Sequence, residues 1–134
     1  MRESVTGARG KVSGVAVRAI RGAIRLERDE REHLLDAVAE LLTEILERNQ
    51  IGTDDLISVI FTATPDLRSE FPALGARILG FKDVPLLCAQ EIDVPGAMTR
   101  VIRVIVHAEV TLPRASVQHV YLRGAEALRK DIAQ

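Results

Sequence analysis

Three ionisable side chains stand inside apolar stretches, where a charge is costly to keep. Arg21 lies in V-A-V-R-A-I-R-G-A-I-R-L (15–26), Glu91 closes V-P-L-L-C-A-Q-E (84–91), and Arg103 is flanked by Val101, Ile102, Val104 and Ile105. A guanidinium in such a segment needs an anionic partner or a polar cavity, because burying it alone carries a large desolvation penalty. One such residue could sit on the solvated face of a half-buried strand; three together say more than any one. Arginine also dominates the basic set: of 18 basic residues only Lys11, Lys82 and Lys130 are lysines, which leaves 15 arginines. A planar, bidentate donor suits carboxylate recognition, although codon composition alone can produce the same bias.

Other chemistry finds little support. The chain has no phosphate-binding loop, no G-x-S-x-G, no H-E-x-x-H and no cysteine pair. His33, His107 and His119 share no spacing, so each reads as a satisfied or exposed histidine and none is assigned a role. Cys88 is the single cysteine, which excludes an internal disulfide and a thiolate metal cluster and fits a reducing cytoplasm. No metal or cofactor is expected. A net charge of -1 without a long basic run argues against nucleic acid. With no signal-like apolar region and no stretch near the ~20 apolar residues of a membrane span, the chain reads as soluble and unexported.

The elements that must carry these residues follow from periodicity. Residues 1–14 show no pattern and read as a disordered extension, leaving 15–134 as one domain. Residues 15–26 read as a strand with Arg18, Ile20, Gly22, Ile24 and Leu26 on one face and Ala19, Arg21, Ala23 and Arg25 on the other. Asp29 offers a cap for a long amphipathic helix whose apolar positions run from Leu34 to Leu46, with a stop at 49–54 around Gly52. A buried strand from Leu56 ends before Pro65, and the strand, helix, strand order predicts a right-handed parallel crossover. A shorter helix lies within 66–80 with Gly80 as terminator. Strands around Cys88 and Arg103 flank a turn at Pro95 and Gly96, and a short strand at 118–122 precedes a last helical turn or two through Leu128. The fold class is therefore α+β (α/β-like): a mixed sheet of about five strands with one long and one short helix. Its open edges invite association with sister subunits.

Taken in order, Arg18, R-G-A (21–23), T-A-T-P-D-L (62–67), F-P-A (71–73) with Arg77, V-P-L-L-C-A-Q-E (84–91), V-I-R-V (101–104), H-V-Y-L (119–122) and L-R (128–129) closely resemble the AroH class of chorismate mutases. The resemblance runs from about Arg18 to Asp131; no single piece is specific, but the ordered set is.

The resemblance implies a homotrimer of pseudo-barrel subunits with active sites in clefts between chains, converting chorismate to prephenate in aromatic amino-acid biosynthesis without a cofactor. It gives Arg103 the central catalytic place against the ether oxygen of chorismate. Arg21 and Tyr121 would bind a substrate carboxylate, and Glu91 with Cys88 would hold the ring hydroxyl. Leu87 joins the binding set, while Phe71, Ala73 and Leu128 would form apolar walls. Arg77 and Arg129 would attract the dianion at the mouth and order the C-terminal tail as a lid. Three positions depart from the pattern: Leu74 where many relatives have lysine, Leu87 where some have threonine, and Lys130 where proline is common. Two rival readings share the subunit shape. A trimeric regulatory protein would need affinity for the ground state only, and a reactive-intermediate deaminase-like trimer would turn over imines and ignore chorismate.

Overall fold

The computed structural model describes residues 14–128, so residues 1–13, the tail from Arg129 onward and the expectations placed on them lie outside the described residues. Within that span β1 (Ala16–Arg25), α1 (Arg31–Asn49), β2 (Leu56–Ala63), α2 (Pro72–Leu79), β3 (Leu86–Gln90), β4 (Val101–Val110) and β5 (Val120–Leu122) follow in order. The expected mixed sheet of five strands with a long and a short helix is what forms, in the strand order β3-β2-β4-β1-β5.

β1 and β2 are both antiparallel to β4, which lies between them. The expected parallel relation of β1 and β2 therefore holds, but across an intervening strand. β3 adds in parallel to β2, and β5 in parallel to β1.

Alternation along β1 decides which face is covered. Ile20, Ile24 and Leu26 are buried in one cluster with Leu34, Val38, Leu41 and Ile45 of α1, as expected for an apolar stripe packed on a sheet. Gly22 belongs to this face: a Cβ there would stand 2.8 Å from Ile45 Cδ1 and 3.2 Å from Leu41 Cδ1, so the bare backbone lets the helix come close. α2 packs in the same layer through Ala76, and Phe81 just past its end joins that cluster.

The cap of α1 is Glu30, whose carboxylate accepts from the amides of Glu32 and His33. Asp29, expected in that place, turns instead to the β2–α2 connection and accepts from the amides of Arg68 and Ser69. Partial burial pushes the Asp29 carboxyl up, but the Ser69 hydroxyl, these two amides and Arg68 outweigh it and hold the group below its ordinary value. The helix ends at Asn49, within the expected stop, and its C-cap is Gln50 at φ 54 rather than Gly52. Gly80 does terminate α2, at φ 118, a conformation open to glycine.

Candidate active site

Register lines up the chemistry. Tyr121 pairs with Ala23, Ala23 with Arg103, Arg103 with Thr62, and Thr62 with Ala89, so one row crosses all five strands. The row below holds Arg21, Ile105, Ile60 and Leu87. Because neighbouring residues in register point to the same side, both rows lie on the face opposite the helices. Val17 and Leu87 on that face are 55% and 59% exposed, so it is an apolar surface left uncovered in a single chain.

Glu91 is the first residue past β3, and its amide still donates to the Ala63 carbonyl at the end of β2. That bond turns the carboxylate toward β4, where Oε2 lies 2.9 Å from Arg103 Nε. The N–H is not directed at this oxygen, so the contact is an ion pair and the buried Nε lacks a well-aligned acceptor. The same oxygen accepts a hydrogen bond from the Thr62 hydroxyl. One carboxylate thus fixes one guanidinium while Thr62 fixes the carboxylate. Thr62, which opens the T-A-T-P-D-L segment, gains a role at the site only through its register with Arg103.

Arg21, Thr62, Arg103 and Tyr121 line a cavity of about 250 Å³. Tyr121 is buried and packs with Ala23, Val101 and Ala125, and Leu128 covers this cluster from a closing 3-10 turn. The cavity presents two cations and a phenol, a set suited to a carboxylated ligand.

The other expected binding residues gather elsewhere. Cys88 pairs with Phe61 and packs against the helix-side core, and with Phe71 it lines a second cavity of about 600 Å³ at the ends of β2 and β3. Phe71 caps α2 and is 71% exposed, while Ala73 in the first turn of α2 packs on the core. The two cavities share no lining residue. Arg77, expected at the pocket mouth, has Nη1 donating to the carbonyls of Phe81, Lys82 and Val84, and so clasps the connection between α2 and β3. Arg129 lies outside the described residues. Among the described residues no group of acidic, histidine or cysteine side chains is arranged to hold a metal ion.

The sequence pattern of the family described as chorismate mutase type I matches residues 17–132. A Thermus thermophilus protein named chorismate mutase AroH is 50% identical over 117 residues, which cover 87% of this chain and 96% of the relative. A Bacillus subtilis (strain 168) protein of the same name is 39% identical over 118 residues, covering 87% of this chain and 93% of that relative. The solved structure of a chorismate mutase from Clostridium thermocellum aligns with a TM-score of 0.80 at 40% identity, covering 81% of this chain and 97% of that one. Sequence pattern, relatives and fold agree over the stretch that carries Arg21, Glu91, Arg103 and Tyr121, and the chain belongs to the chorismate mutase type I family.

Proposed function

We propose that this chain is an isomerase that rearranges chorismate to prephenate in aromatic amino-acid biosynthesis, with Arg103 as its central catalytic residue. In this Claisen rearrangement the C–O bond breaks ahead of C–C bond formation, so negative charge grows on the ether oxygen in the transition state. A cation already fixed beside that oxygen stabilises the transition state more than the substrate, and only such a difference raises the rate. The observation that carries the reading is the Arg103 guanidinium, braced by Glu91 in a cavity that also holds Arg21 and Tyr121.

Arg21 and Tyr121 then take a substrate carboxylate, and Glu91 with Cys88 takes the ring hydroxyl. Phe71, Ala73, Leu87 and Leu128 supply the apolar wall that holds the compact conformer, and Arg129 serves the mouth. An acceleration at the low end of the enzyme range requires about 8 kcal/mol. One oriented charge donor contributes roughly 3 to 4 kcal/mol, and holding one reactive conformer can supply the rest. No nucleophile or general base is required.

The working unit in this proposal is a homotrimer with sites between subunits. Supporting it, the Arg103 side chain is 43% exposed in the single chain, too open for a dry site. The Arg103 half and the Phe71–Cys88 half are moreover separate cavities of one chain, so a neighbour's second half can close the first. The single cysteine and the lack, among the described residues, of a helix able to cross a membrane support a cytoplasmic enzyme.

Loss of chorismate absorbance with appearance of prephenate, followed with the purified protein, tests the reading. Saturable turnover is expected; binding without turnover would favour the regulatory alternative, and imine hydrolysis with indifference to chorismate the deaminase-like one.

A further inference from the structure

We infer that His119 is a positioning residue for the carboxylate-binding pair Arg21 and Tyr121, acting through the Arg21 backbone; this rests on the mutase reading above.

The pairing of β5 with β1 starts at Val120 opposite Gly22. Continued one step, the register sets His119 opposite Arg21. Ordinarily a backbone carbonyl of the neighbouring strand would receive the Arg21 amide. Here that stretch is diverted: the amide of Gln118 donates to Asn49 Oδ1, and its carbonyl accepts from Asn49 Nδ2. Asn49 is the buried last residue of α1, and Nδ2 also donates to the Ile45 carbonyl. Its side chain therefore pins the approach to β5 to the helix layer. The Arg21 N–H donates instead to the imidazole Nδ1 of His119, at 3.0 Å.

This substitution of a side chain for a ladder carbonyl sits one residue before the first paired residue of β5 and two before Tyr121. It sets where β5 begins to pair and holds the Arg21 backbone beside the row that contains Tyr121 and Arg103. Nδ1 can accept only while it carries no proton, which assigns the ring proton of the neutral imidazole to Nε2. Arg18, Arg21, His107 and Arg114 line the adjoining cavity of about 470 Å³ together with His119.

The role differs from that of Arg103. A carboxylate is bound alike in substrate and transition state, so loosening its binding pair raises KM and leaves kcat nearly unchanged. The test compares His119→Leu, which keeps bulk without an acceptor, with His119→Asn, whose Oδ1 can stand in for Nδ1. In the wild-type protein the Arg21 amide is expected to be protected from hydrogen exchange. His119→Leu is expected to lose that protection and to raise KM for chorismate about tenfold, the worth of one hydrogen bond, with kcat within about twofold. His119→Asn restores both. Rapid exchange of the Arg21 amide in the wild type, an unchanged KM in His119→Leu, or a loss confined to kcat would overturn the inference. Absence of turnover in the wild type would refute the mutase reading instead, and amide exchange would still decide whether His119 holds Arg21.

Discussion

Arg103 and Glu91 meet where β4 passes the end of β3: Nε and Oε2 are 2.9 Å apart, yet the N–H is not aimed at the oxygen. The carboxylate therefore fixes where the guanidinium sits without drawing all of its hydrogen-bonding capacity, and the terminal nitrogens can meet a ligand.

Glu91→Gln removes that anchor while keeping its volume. The Thr62 hydroxyl retains a partner, but Arg103 loses its counter-charge and its fixed position. Misplacing a catalytic group by about 1 Å costs on the order of 10²-fold in rate, and a fall of that order in kcat/KM is expected from steady-state kinetics. A variant within about twofold of the wild type would show that Glu91 does not orient Arg103.

Gly22→Ala tests the close approach of α1 to the sheet beneath the site. The new Cβ would meet Ile45 Cδ1 at 2.8 Å and Val104 Cγ1 at 3.1 Å. Overpacking of this kind destabilises by about 1 to 3 kcal/mol, which should lower the thermal midpoint by several degrees. An unchanged or raised midpoint in a calorimetric scan would mean that the helix layer yields freely.

Acid should loosen the joint between the start of α1 and the β2–α2 connection. Glu70 is held below its ordinary value first by the Phe71 amide and then by Arg31, as Asp29 is by its own partners. Carboxylates depressed in the folded state add stability that is complete above the unfolded pKa of about 4 and is lost as pH falls through the folded values. The thermal midpoint of the wild type should therefore fall below about pH 4, and that of Asp29→Asn should fall less steeply. Equal acid slopes for the two proteins would contradict this assignment.

Much of the fold was legible because its signals are local. The period-2 alternation at 15–26 and the helical stripe from Leu34 to Leu46 each report which face is buried, and the structure buries those faces. The cap was misplaced by one residue because Asp29 and Glu30 both offer a carboxylate; the choice falls to the partners Arg68 and Ser69, which are 39 and 40 positions away. The site was legible as residue types but not as an arrangement. Nothing within 101–106 shows that Arg103 pairs with Thr62 on one side and Ala23 on the other, since register depends on every strand at once. The role of His119 is hidden in the sequence for the same reason: its relation to Arg21 appears only when β5 is laid beside β1. Arg77 was expected at the mouth, whereas three backbone carbonyls near the end of α2 engage its Nη1.

The most direct measurement of the central claim is kcat of Arg103→Lys on chorismate, with the fold checked by circular dichroism. Lysine keeps the charge but not the planar fork that can reach Glu91 and the ether oxygen together. The expected result is a folded protein whose kcat is lower by about 10²- to 10³-fold, the loss that follows removal of one preorganised donor. Turnover close to that of the wild type would contradict the account, because the charge would then act without the geometry that the sheet imposes on it.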